Sequence, residues 1–472
     1  MLGRGTIAGH AQAAGPSTAT ALTAPPGAMA EATIATDPAR PNHLAAAADP
    51  YLGPVRIVVT TSNDGGATWS GPVTVLPSGF AKSYDPALAF DSVGNVLVVG
   101  GASGQGAPHC QPDSAVFMAT VKPSGVAYLV VRDAREDGAY VDRPEVAVSG
   151  TGPTTSFVTW TESTGPQAEC AAMPARSTIM LARLDGVASV RDVRPVPSSG
   201  LMAPFGATLA VAANGSLAIV VGEHGGGRAR LVAVNSPDGG STLTAPVVVD
   251  EGPDVPLTLA GVGGVIAPVP SVAVARDGRV SAAWNKQTAS GPEVAVFQAP
   301  ASGTWVALGS PTAGVAALLP TVAYDTAGRL QLLVARPANG SVDYQLFNRS
   351  PDWDAGTRLG GGPSSQFSEI GESLGLVPTV DAVVACFPVD GPTGSSLTVA
   401  RLATPPPPPP PTPPPTTAGS APPQPGRAPR GGGRGRTVVV GGLVLLVTTA
   451  LAYGLARRRP GLNRRGTGSP RR

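Results

Sequence analysis

The sequence predicts an all-β chain: a β-propeller of six or seven four-stranded blades, followed by a Pro-rich linker and one transmembrane helix. Three observations carry that prediction. A strand–turn–strand unit recurs seven times, helical periodicity is nearly absent from residues 30 to 403, and an uncharged stretch of 20 residues lies close to the C-terminus. Short apolar or alternating runs broken by Gly, Pro, Asp and Asn are what strands and their turns look like in sequence.

Each unit consists of a proline or small residue, an apolar strand, a polar Gly turn and a second strand. DPALAFDSVGNVLVVGG (85–101), VPSVAVARDGRVSAAW (269–284) and LPTVAYDTAGRLQLLVA (319–335) show it most clearly. Counted from Ala32, Pro86, Pro144, Pro204, Pro270, Pro320 and Pro378, the steps are 54, 58, 60, 66, 50 and 58 residues. One or two further strands follow each copy, as in SAVFMATV (114–121) and EVAVFQAP (293–300). Four strands at this period form a blade, which buries its faces only against its neighbours. Seven anchors favour seven blades, and a six-bladed ring with an atypical end is the alternative. The last copy supplies three strands, so an N-terminal stretch is expected to complete its sheet.

Between two strand-like runs lies SNDGGATW, residues 62 to 69. Ser62, Asp64, Gly66, Thr68 and Trp69 follow a pattern that resembles the Asp box of sialidases and related BNR-repeat propellers. Asp64 suits a turn in which a carboxylate accepts backbone N–H bonds, and Trp69 suits an aromatic plug. SPDGGSTL (236–243) repeats the pattern with Asp238 and Gly240, and Ser350-Pro351-Asp352 begins a third, shorter match.

The resemblance implies a sialidase-like propeller in which the Asp box is structural and lies on the face away from the catalytic site. Sialidases hold the sugar carboxylate with three arginines and use a Tyr/Glu pair and an Asp as nucleophile and acid–base. The first arginine belongs to an F/Y-R-I-P stretch on the first inner strand, where this chain has EATIATDP. Arg276 and Arg329 fall at polar turns, so no inner strand is expected to carry an inward-looking arginine. Catalytic residues are therefore unassigned. The expected function is a glycan- or protein-binding or scaffolding ectodomain, with an exo-alpha-sialidase or other glycoside hydrolase with a rearranged active site as the alternative.

A ligand funnel is expected on the face where the inner strands begin. Its leading loops are polar in the second and third blades (Lys82, Tyr84, Asp85, then Tyr140, Asp142, Arg143, Glu145) and apolar later (Met202, Phe205, Val269, Leu319, Val377). Loops leaving the second strands add Glu162, Glu223, His224, Trp284, Lys286 and Arg336. Asp85 and Asp142 have the chemistry of a glycosidase pair, although rim carboxylates are ordinarily just solvated. No His/Cys/Asp spacing suggests a metal, and no glycine-rich loop opens onto a helix, so no cofactor is expected.

Net charge is +2 and charged residues are 14%, which gives no ground for a nucleic-acid partner. The sequence divides into an N-terminal remnant (1–28), the propeller (29–403), a Pro-rich then Gly/Arg-rich linker (404–436), a transmembrane helix (437–456) and a basic tail (457–472). Seven arginines follow the apolar span against four just before it. That bias predicts a single-pass protein of the cell membrane with the propeller extracellular and the C-terminus cytoplasmic. Ala11-Gln12-Ala13 resembles the end of a signal peptide whose apolar region would lie upstream of Met1. A cell-wall or host glycan, or a surface protein, is the expected partner. Cys110 and Cys170, in equivalent loops of consecutive blades, are expected to form a disulfide in an oxidising compartment, with Cys386 a buried free thiol.

Overall fold

The computed structural model describes residues 18–22 and 29–404, apart from 51–53, 105–113, 136–137, 151–153, 165–175, 187, 201, 256–268, 301–302, 339, 364–370, 372 and 392–393. The described residues form seven four-stranded antiparallel sheets. Blade 1 is β2 (Met29–Asp37), β3 (Arg40–Pro50), β4 (Ile57–Ser62) and β5 (Val73–Val75). Blade 2 is β6 (Lys82–Phe90) to β9 (Gly125–Asp133), and blade 3 is β10 (Tyr140–Ser149) to β13 (Ser189–Pro195). Blade 4 runs from β14 (Ala203–Val211) to β17 (Val247–Pro253), blade 5 from β18 (Ser271–Val274) to β21 (Val306–Gly309) and blade 6 from β22 (Leu318–Tyr324) to β25 (Thr357–Pro363).

Blade 7 closes the ring. It takes β26 (Gly375–Pro378), β27 (Ala382–Gly391) and β28 (Gly394–Ala403) from the end of the repeat, and β1 (Thr18–Ala21) from ahead of it. β1 pairs with β28 from Thr18↔Arg401 to Ala21↔Thr398. The number of blades is therefore seven. The expected closure by an N-terminal stretch is present, drawn from residues 18–21, ahead of the boundary at residue 29 read from the sequence. First strands touch in sequence around the ring, and β26 returns to β2.

Burial explains the strand sequences. Second strands lie between neighbouring blades and are covered on both faces, so β7 (Val96–Ser103) is buried along its whole length and reads as an apolar run rather than an alternation. Each apolar cluster spans two adjacent blades. One joins blades 2 and 3 through Val99, Met118, Val158 and Trp160. Another joins blades 6 and 7, where Tyr344 and Phe387 stack at 4.2 Å. The others close the remaining boundaries in turn. Cys386 is buried as a free thiol between blades 7 and 1, and burial pushes its pKa up.

The turn after β4 shows why its residues occur in that order. Asp64 Oδ1 accepts from Thr68 N–H at 2.8 Å and from the Ser62 hydroxyl at 2.8 Å, and Asp64 Oδ2 accepts from the Thr68 hydroxyl at 2.6 Å. These bonds hold the Asp64 carboxyl down at about 2. Gly66 has a φ of +91° and donates its N–H to Ser62 Oγ, a conformation glycine adopts without a Cβ clash. Trp69 Nε1 closes the turn on Gly66 O at 3.1 Å, and its ring joins the cluster between blades 7 and 1. The turn after β16 (Arg228–Ser236) has the same bonds among Ser236, Asp238, Gly240 and Thr242. At residues 348–356 the turn is closed differently, by Asp354 accepting from Asn348 and Gly356.

Among the described residues no helix is long and apolar enough to cross a membrane. The span at 437–456, the linker beyond residue 404, Ala11–Ala13, and the pair Cys110 and Cys170 all lie outside the described residues.

Candidate functional site

Proline at the start of the inner strands has a structural consequence. It lacks a ladder donor, so a strand tolerates it only at an edge or a bulge. Inner strands accordingly bulge where they begin, with register shifts at Tyr84/Ala87, Asp142/Glu145 and Leu318/Thr321, each bracketing an X-Pro pair. Blades 1 and 4 bulge at the same point with Ala32 and Ala207 in place of proline. The first bulge residue takes a left-handed φ: Glu31 +51°, Asp85 +52°, Arg143 +54°, Gly206 +67° and Leu319 +53°. Glycine does this freely, whereas other residues carry strain of about 1–2 kcal/mol. Non-glycine residues held this way mark places where the side chain matters.

Three of these strained residues are polar and consecutive around the ring. Arg143 Nη1 donates to Glu31 Oε2 at 2.8 Å. The pair links the inner strands of blades 1 and 3, passing the inner strand of blade 2, so it spans the polar side of the channel mouth. Both side chains are largely buried, 8% and 13% exposed. The expectation that no inner strand carries an inward-looking arginine is thereby corrected. Arg143 lies within β10 rather than in a loop, because the bulge at Pro144 lets the strand begin at Tyr140.

Asp85 lies between them. Its Oδ2 accepts Arg143 N–H at 3.3 Å, and Asp142 Oδ1 accepts the same N–H at 3.0 Å. Asp49, near the end of β3, accepts the backbone N–H of Asp85, while its Oδ1 is buried with no hydrogen-bond partner. Burial, then the charges of Glu31 and Asp85, holds the Asp49 carboxyl well above the usual range. Burial pushes Glu145 up to about 7, with Arg143 opposing and Asp85 and Glu31 reinforcing. The Tyr140 phenol is raised by burial and then by Asp142 and its neighbours. Tyr84 and Tyr140 are buried beside them. Carboxylates with upward-shifted pKa values in a channel mouth have the electrostatics of a functional site.

Six sequence candidates therefore meet: Tyr84, Asp85, Tyr140, Asp142, Arg143 and Glu145. Of the others, Glu162, Trp284 and Lys286 tie neighbouring blades together, whereas Glu223, His224 and Arg336 bond within their own blade or the connections adjoining it. Glu162 accepts Arg132 Nε and Nη2, both at 3.0 Å, and Trp160 Nε1 at 3.1 Å. Blade 5 uses the reverse charges: Lys286 Nζ and Trp284 Nε1 each donate to Asp250 Oδ2 at 3.2 Å. Glu223 accepts the N–H and hydroxyl of Ser199, and Arg336 donates to Gln345. His224 Nδ1 meets Asp254 at 3.0 Å, with its Nε2 buried and unpartnered. Sequence reasoning missed Glu31 and Asp49. Repeat alignment contains the signal for Glu31, which precedes Ala32 as Asp85 precedes Pro86 and Arg143 precedes Pro144. Asp49 has none. Among the described residues no group of His, Cys, Asp and Glu could hold a metal ion.

No protein-family profile matches the chain, and neither does any curated protein. Solved structures resemble it at low identity. A protein of unknown function from Dyadobacter fermentans is 12% identical over 82% of this chain and 98% of its own, with a TM-score of 0.44. The Hadza microbial sialidase is 13% identical, with 76% of each chain covered and a TM-score of 0.47. An alpha-L-arabinanase of Penicillium chrysogenum, solved with arabinobiose, is 12% identical over 79% and 93% of the two chains, with a TM-score of 0.44. Likeness at this level assigns no residue role.

Proposed function

We propose that this chain is a membrane-anchored surface protein whose propeller binds a glycan in the polar half of its mouth. The observation that carries the proposal is the cluster of Glu31, Asp85 and Arg143 at strained bulges of consecutive blades, with Asp49 of β3 beside them. Carboxylates accept from sugar hydroxyls, and an adjoining apolar surface covers a sugar's C–H face. Val269, partly exposed beside Gly206, supplies that surface. The apolar span 437–456 and the polyproline linker fit display outside the membrane. A glycan array run on the full-length chain tests the proposal. Saturable binding that Asp85→Asn weakens is expected, and an array without signal would sink it.

Glu145 favours a second function, glycoside hydrolysis. A carboxyl at about 7 in a carboxylate cluster suits a general acid. Turnover of fluorogenic glycosides, sialosides included, that Glu145→Gln abolishes would establish it, and no turnover on the panel removes it.

A further inference from the structure

Arg143 is the cation acting on both Asp49 and Glu145, and its guanidinium is engaged by Glu31. A guanidinium in a channel mouth would ordinarily attract a carboxylate ligand. Here a side chain of the protein occupies that role, and Ser373 Oγ holds the same Glu31 oxygen at 3.3 Å. The neighbours add negative charge: Asp85 stands between the two partners, and Asp142 binds the Arg143 backbone. The buried, unpartnered Asp49 Oδ1 is the independent sign that the cluster awaits a ligand, since buried polar atoms are rarely left unsatisfied. An anionic ligand would meet these carboxylates, whereas a hydroxyl would satisfy Asp49.

We propose that Glu31 sets the charge selectivity of the mouth: by occupying Arg143 it makes the site one for uncharged, hydroxyl-rich glycans and excludes carboxylated sugars. This inference rests on the glycan function proposed above. The backbone supports it, because Glu31 is held at a φ of +51° where blade 4 has Gly206 at +67°. A glycine would fit the bulge with less strain, so the strained glutamate is there for its side chain.

The equivalence of Glu31 and Gly206 supplies the test. Full-length wild type, Glu31→Gly, Glu31→Gln and the double variant Glu31→Gly/Arg143→Gln are run on an array of neutral, sialylated and uronic-acid glycans. Each is also titrated with acetate as a bare carboxylate, and melting is checked alongside. Wild type should bind neutral glycans and take up no acetate. Glu31→Gly should gain acetate and acidic-glycan binding of about tenfold or more, weakening with salt, and the double variant should lose that gain. Glu31→Gln supplies the same readout if the glycine variant does not fold. A wild-type preference for acidic glycans, or a folded Glu31→Gly without acetate binding, overturns the inference. An array empty for wild type overturns the glycan function instead, while the acetate titration still decides what Glu31 does.

Discussion

At the bulge where the inner strand begins, blades 1 to 3 present Glu31, Asp85 and Arg143, whereas blades 4 and 6 present Gly206 and Leu319. The backbone solution is shared and the chemistry is not. On the apolar side the position serves packing: Leu319 joins Val255 in one cluster, and a Cβ on Gly206 would meet Val269 Cγ2 at 2.9 Å. On the polar side it gathers charge, with desolvation that a purely structural ring would avoid. A fold specifies where the mouth is, and the residues at this one position specify what the mouth can hold.

The largest expected effect comes from removing the cation that keeps the polar side together. Arg143→Met leaves the carboxylates around it uncompensated and should destabilise by about 3–5 kcal/mol, as breaking a buried pair does. Chemical denaturation at pH 8 measures it, and the loss should shrink in acid as carboxylates neutralise. A change of less than about 1 kcal/mol at pH 8 would mean that the cluster is solvated rather than buried.

Leu319→Gly examines the apolar side at the same backbone position. Relief of the left-handed strain offsets only part of the lost burial of a leucine that is 2% exposed. A net loss of about 2–4 kcal/mol is expected. If this variant instead gained stability, the apolar half would not be a packed wall.

Glu145 gives the polar side a pH signature. Its folded carboxyl lies at about 7 against an ordinary 4.5, so between those values the folded state holds a proton that the unfolded state has released. Stability contributed by this group therefore falls as pH rises through that window and levels off above it. Glu145→Gln should flatten the decline in melting temperature between pH 4.5 and 7. An unchanged slope would show that Glu145 does not titrate in that window.

Much of this was legible in residues. The recurring anchors narrowed the blade number to six or seven, and the missing fourth strand of the last repeat pointed to β1. Pro86, Pro144 and Pro320 mark bulges because proline cannot donate to the ladder. Glu31 escaped because it precedes Ala32, whereas Asp85 and Arg143 each precede a proline. Asp49 follows four alanines and precedes a proline, which looks like a strand running out into a loop. Its meeting with Asp85 crosses a blade boundary and leaves no local pattern. Glu162 and Lys286 were readable as charged but not as staples, since Arg132 and Asp250 lie on the fourth strand of the preceding blade. Helix-free repeats reveal neighbours by period, whereas contacts across blades depend on how closely the sheets approach.

The smallest effect expected is the most discriminating, because its sign is opposite to that at Leu319. In Asp85→Gly the bulge loses a residue held at a φ of +52°, although aspartate tolerates that region better than most. Arg143 N–H keeps Asp142 Oδ1 at 3.0 Å as its acceptor, so no backbone donor is orphaned. Asp49 keeps the residue 85 N–H and loses a repelling charge, as do Glu145 and Tyr140. Against these gains stands the greater freedom of glycine in the unfolded chain. The balance should be a stabilisation of about 0.5–1 kcal/mol, seen as a raised melting temperature, together with weaker glycan binding. Stability gained where binding is lost is what a functional position predicts. A variant that loses both would place Asp85 among the residues that hold the ring together, and the two halves of the mouth would then differ in chemistry but not in purpose.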